Sequence, residues 1–120
     1  MQRRSFMQLT GLSALAAWRP DAFGQTYPGK PVRIVVPWPA GGIADMRIRQ
    51  IAEKLTPLLG QQVLADNRPG ASGQLAAQVV ADAPADGYTL LYASVQEQAI
   101  GPAVTTGLRY NAKSFAPITL

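Results

Sequence analysis

The stretch Val32-Arg33-Ile34-Val35-Val36-Pro37-Trp38-Pro39-Ala40-Gly41-Gly42, running on into Ile43–Leu55, leaves the chain little choice of fold. Residues 32–36 are mostly β-branched and apolar, the pattern of a short strand buried on both faces. After the loop, Ala44, Ile48, Ile51, Ala52 and Leu55 recur at helical spacing, so the segment reads strand, loop, helix. The loop's two prolines cannot donate backbone hydrogen bonds, and its two glycines leave main-chain N–H groups uncovered. Such a loop delivers bare amides to a helix start, which suits a carboxylate or phosphate. The plainer reading is an ordinary strand-to-helix turn. The position beyond the carboxyl end of a parallel strand is where ligands sit in open α/β sheets, and this favours the first reading.

The rest of the chain repeats the alternation. Tyr27-Pro28-Gly29-Lys30-Pro31 is an extended lead-in, and Pro57 is expected to bend or end the first helix, with Gly60 closing it. Residues 62–66 read as a weak second strand. Asn67-Arg68-Pro69-Gly70-Ala71-Ser72-Gly73 is a second loop, followed by a helix with the apolar stripe Leu75, Ala76, Val79, Val80 and Ala83. Pro84-Ala85-Asp86-Gly87 makes a turn and Tyr88–Ala93 a third strand. Ser94-Val95-Gln96-Glu97-Gln98 then forms a third candidate ligand loop, with Glu97 read as a solvated loop charge. A short helix or turn after Gly101-Pro102, an irregular link over 108–114 and the opening of another strand over 115–120 complete the chain. This order predicts an α/β fold with a mainly parallel sheet flanked by helices and right-handed crossovers, incomplete at its end.

Composition removes most chemistries. There is no cysteine and no histidine among the 120 residues, so thiolate nucleophiles, histidine catalysis and ordinary zinc sites are excluded. Residues 1–24 read as an export signal: Arg3 and Arg4 begin it, Leu9–Trp18 form a short apolar core, and Ala22-Phe23-Gly24 suit a signal peptidase. Arg3-Arg4-Ser5-Phe6-Met7 resembles a twin-arginine signal, from which Gln2 and Gln8 depart. The expected location is the periplasm. Loss of Arg3, Arg4, Arg19 and Asp21 with that segment brings the net charge from +4 to +2. The remaining charges are scattered, which argues against nucleic-acid binding.

Lys30-Pro31-Val32-Arg33, Pro37-Trp38-Pro39-Ala40-Gly41-Gly42 with Asp45, Asn67-Arg68-Pro69-Gly70-Ala71 with Gly73, Pro84-Ala85-Asp86-Gly87-Tyr88-Thr89-Leu90 and Phe115-Ala116-Pro117-Ile118-Thr119 occur in fixed order. Together they resemble the extracytoplasmic substrate-binding proteins of tripartite tricarboxylate transporters, the Bug family, over residues 26–120. The resemblance implies a two-lobed periplasmic-binding-protein type II fold, of which residues 25–114 form part of the first lobe and 115–120 open a crossover to a second. It implies capture of a small carboxylate or amino-acid-like solute, delivery to a membrane permease, a monomeric state, no cofactor and no catalysis.

Family members hold one carboxyl end of the solute with the backbone corresponding to Trp38, Pro39, Ala40, Gly41 and Gly42. Asp45 joins these candidates, with Gly70, Ser72 and Gly73 from the second loop and Ser94 and Gln96 from the third. Asp45 is equally explained by the positive end of its helix. Three positions depart from the family's habit: Gln96, Glu97 and Gly101 stand where small hydroxyl residues and an asparagine are usual. A carboxylate at 97 would repel an anion, or pair with an amine. The alternative function is a truncated remnant or secreted interaction module without a ligand. A nucleotide-binding enzyme is disfavoured because neither Gly-Lys-Ser/Thr nor a dinucleotide fingerprint follows the glycines.

Overall fold

The computed structural model describes Gly24 and residues 26–119; the expected export signal, Gly24 apart, lies outside the described residues. Three strands, β1 (Val32–Val36), β2 (Val63–Asn67) and β3 (Thr89–Leu91), form one parallel sheet in the order β2-β1-β3. Helix α1 (Ile43–Leu59) joins β1 to β2, and a 3₁₀ turn over Ala71–Gly73 with α2 (Gln74–Ala81) joins β2 to β3. The two crossovers run in opposite directions along the sheet, from β1 out to β2 and from β2 back across β1 to β3. With right-handed connections, they place α1 and α2 on opposite faces of the sheet.

The alternation along β1 explains its burial. Val32, Ile34 and Val36 form the core with Ile48 and Ala52 of α1 and Val63 of β2, all at most 6% exposed. Val35 points to the other face, which α2 covers with the fully buried Ala76 and Ala77. Small residues there let the helix lie close to the strand. Burial of four β-branched side chains on one five-residue strand contributes about 1.5–3 kcal/mol each, which makes β1 the axis of the fold.

Several elements differ from their sequence expectation. Helix α1 runs through Pro57, which is exposed in its last turn, and ends at Leu59, where the sequence expectation puts its close. Gly60 does close the helix, at φ 66°, donating its N–H to Thr56 O at 3.0 Å. Strand β3 is three residues rather than six, since Pro37 at the end of β1 has no N–H to continue the ladder. Leu75 is half exposed rather than part of the buried stripe, which passes through Ala76 and Ala77. The expected loop 94–98 is helical from Val95, through a π-helical turn (Gln96–Ile100) into α3 (Gly101–Val104). Phe115 is extended and sets its ring against Tyr110, with centroids 5.6 Å apart, but residues 115–119 form no strand. An extended segment becomes a strand only with a neighbour to accept its ladder bonds.

Candidate functional site

The carboxyl ends of all three strands lie on one edge of the sheet. Because β1 sends its own crossover to one side while β3 lies on the other, the edge between β1 and β3 is the topological switch point. The corner Pro37–Gly42 stands there, directly before α1. Pro39, Ala40, Gly41 and Gly42 are exposed, while Trp38 is half-buried with its ring edge on Tyr92, centroids 5.7 Å apart. That contact joins the corner to the segment leaving β3. On the other flank, Asn67 at the end of β2 donates its side-chain N–H to Trp38 O at 3.1 Å.

The start of α1 has no side-chain cap, since its N-cap is Gly42. Its first-turn amides have no intrahelical acceptor, which leaves them for an anion or water. Asp45 is only 3% exposed and faces inward rather than into the open corner. Its Oδ2 accepts the Gly41 N–H at 2.8 Å, and both carboxylate oxygens accept Arg49 Nε at 3.0 Å. The Arg49 hydrogen bond, then the Gly41 amide, holds the Asp45 carboxyl below the usual carboxylate range. Arg49 Nη2 also reaches Asn67 Oδ1 at 3.5 Å. Arg47, two residues earlier, is exposed on the outer face of the helix.

The second and third candidate loops meet each other. Gly70, Ala71, Ser72 and Gly73 all carry positive φ, a tight left-handed turn tied by Gly73 N–H to Gly70 O at 2.9 Å. Two of the four lack the freedom of glycine, and strain of this kind gathers at ligand clamps and switch regions. Gly70 and Ser72 are exposed and Gly73 is buried. Against Gly73 rests Glu97, which is 2% exposed and therefore not the solvated loop charge expected from sequence. Its Oε2 accepts both the N–H and the hydroxyl of Ser94, each at 2.7 Å, and Ser94 Oγ accepts Gln96 N–H at 3.1 Å. Gln74 Nε2 donates to Thr105 Oγ1 at 2.8 Å, fastening α2 to the end of α3. Among the described residues the buried Tyr110 hydroxyl has no hydrogen-bond partner; burial, and secondarily the Glu97 charge, raises its pKa.

The structure thus gathers Trp38–Gly42 and Asp45 into one group, and Gly73, Ser94 and Gln96 around Glu97 into a second on the same edge. The sequence reading passes over Arg49, Asn67 and Glu97 as structural partners. The signals are present: Asp45 and Arg49 are spaced i, i+4 on a helix, and Ser94-x-x-Glu97 is the pattern of a capping box.

A parallel α/β lobe whose uncapped helix start opens at the switch point is the first-lobe architecture of a periplasmic solute-binding protein. The model of the tripartite tricarboxylate transporter family receptor matches residues 47–120, and the chain belongs to that family. A UPF0065 protein of Bordetella bronchiseptica is 46% identical over 105 residues, covering 87% of this chain and 31% of that protein. Among solved structures, Rpa4515 of R. palustris with adipate superposes with a TM-score of 0.66 at 39% identity, over 72% of this chain and 29% of that one. MatC of Rhodopseudomonas palustris with bound malate gives 0.65 at 35% identity, over the same shares of each chain. The chain spans less than a third of the length of these relatives. Among the described residues no helix is long and apolar enough to cross a membrane.

Proposed function

We propose that this chain supplies the first-lobe wall of an exported, periplasmic solute-binding site for a small carboxylate, which it delivers to a membrane permease without chemical change. The observation that carries this reading is the uncapped start of α1 at the switch point, held in place by Trp38–Tyr92 and Asn67. Backbone amides fixed in this way suit a carboxylate, directly or through ordered water. The neighbours solved with adipate and malate support a dicarboxylate of that size. Contrary to the sequence expectation, the Gly41 and Gly42 amides are bonded to Asp45 Oδ2 and Pro39 O, so the donors proposed for the solute are the first-turn amides of α1, reached over the exposed Ala40, Gly41 and Gly42.

The test replaces the matching segment of the malate-bound relative with residues 26–120 and titrates the product with malate and adipate by calorimetry. Retained binding with a negative heat-capacity change is expected. A product that melts cooperatively yet binds neither acid overturns the reading.

A further inference from the structure

The corner proposed to receive an anion has a buried carboxylate at its base. Asp45 lies in the first turn of α1, and its Oδ2 is bonded to Gly41 N–H at 2.8 Å. An uncompensated charge at that place would oppose any carboxylate arriving at the neighbouring amides. Arg49, one turn further on, is the only cation paired with Asp45 among the described residues. The same guanidinium reaches Asn67, whose amide holds Trp38 O, so the bonds run from Trp38 through Asn67, Arg49 and Asp45 to Gly41. Both ends of the corner are therefore fixed by one relay anchored on α1 and β2.

We infer that Arg49 and Asn67 are positioning residues for the solute corner: Arg49 cancels the charge of Asp45, and the relay fixes the corner in the shape that presents its remaining amides. This inference rests on the proposed carboxylate site. It makes Asp45 a residue that shapes and polarises the corner rather than one that touches solute.

The test separates charge from shape. In the whole chain, labelled with ¹⁵N, the Gly41 amide is followed without solute; Arg49→Gln and Asn67→Ala are expected to speed its hydrogen exchange by about tenfold or more. In the segment-exchange protein described above, Arg49→Gln is expected to weaken malate binding about tenfold, a coupling of ordinary size between neighbouring charges. The double variant Asp45→Asn with Arg49→Gln removes both charges while keeping an acceptor for Gly41, and is expected to recover to within about threefold of the parent. A merely structural role for Arg49 predicts no such recovery, so a double variant as weak as Arg49→Gln overturns charge cancellation. Unchanged Gly41 exchange in both single variants overturns the relay. If the parent itself binds no dicarboxylate, the solute assignment fails, and the Gly41 measurement still decides whether the relay holds the corner.

Discussion

Replacing Gly73 with alanine tests whether the second and third loops are locked together as described. A Cβ built on Gly73 lands on Glu97 Oε1, with Glu97 Cγ at 2.7 Å and Cδ at 2.8 Å. Glu97 cannot swing aside without surrendering two 2.7 Å bonds to Ser94 and pressing into the packing that leaves it only 2% exposed. The left-handed backbone at Gly73, φ +85°, adds about 1–2 kcal/mol of strain for any residue with a Cβ. Overpacking of a filled interior adds about 1–3 kcal/mol. Gly73→Ala is therefore expected to destabilise the chain by about 2–5 kcal/mol.

Gly41 supplies the control. It has nearly the same φ, +84°, but a Cβ there meets nothing within 4 Å. Gly41→Ala should show the backbone strain alone, about 1–2 kcal/mol. In urea melts of the two variants, the midpoint loss for Gly73→Ala is expected to be roughly twice that of Gly41→Ala or more. Equal losses would refute the contact between Gly73 and Glu97. Glu97→Ala in the Gly73→Ala background is expected to be less destabilised than the sum of the two single changes, because neighbours that clash are not additive.

Asp45 gives a pH signature. Its folded pKa is depressed, so its contribution to stability is present above the unfolded value near 3.8 and is lost as pH falls through the lower folded value; acid titration of Asp45→Asn in urea should show a shallower loss below about pH 4 than the parent. Tyr110→Phe removes a buried hydroxyl with no partner among the described residues and keeps the ring against Phe115; the urea midpoint is expected to hold or rise, and a fall equivalent to more than about 1 kcal/mol would reveal a hydrogen bond to that hydroxyl. Glu97→Gln keeps one oxygen for Ser94 and removes a charge from the site edge, so malate affinity in the segment-exchange protein is expected to rise about threefold, less at high salt; a fall would show that the carboxylate serves the solute.

Much of this architecture is legible in the sequence because it rests on short-range rules. The β-branched run at 32–36 and the helical spacing from Ala44 predict strand and helix with the observed starts, and Gly60 falls where a left-handed closing residue is needed. The turn of the corner is legible for the same reason, since proline and glycine act on their own backbone; that the Gly41 and Gly42 amides are spent on Asp45 Oδ2 and Pro39 O is not. What escapes depends on three-dimensional neighbours. Glu97 reads as a solvated charge because its partners, Ser94 apart, belong to a turn some twenty-four residues earlier in the chain. Leu75 fits a buried stripe by spacing, yet the face that meets the sheet is set by Ala76 and Ala77, which alone permit close approach beside Val35.

The two buried carboxylates on this edge are not equivalent, and the difference gives the site a direction. Asp45 and Glu97 each lie in the first turn of a helical segment and each accept a backbone amide, from Gly41 and Ser94 respectively. Asp45 also faces a guanidinium, so the start of α1 carries its helix-end positive potential with little opposing charge. Glu97 accepts the Ser94 N–H and hydroxyl, and among the described residues no ion pair joins it, so dipoles rather than a cation face its carboxylate. On the proposed reading, an anion at the switch point is therefore expected nearer Gly42 and Ile43 than Gln96. On the same reading, a solute with one carboxylate at α1 is expected to turn its less negative end toward Gln96, and a second carboxylate there would be disfavoured by Glu97.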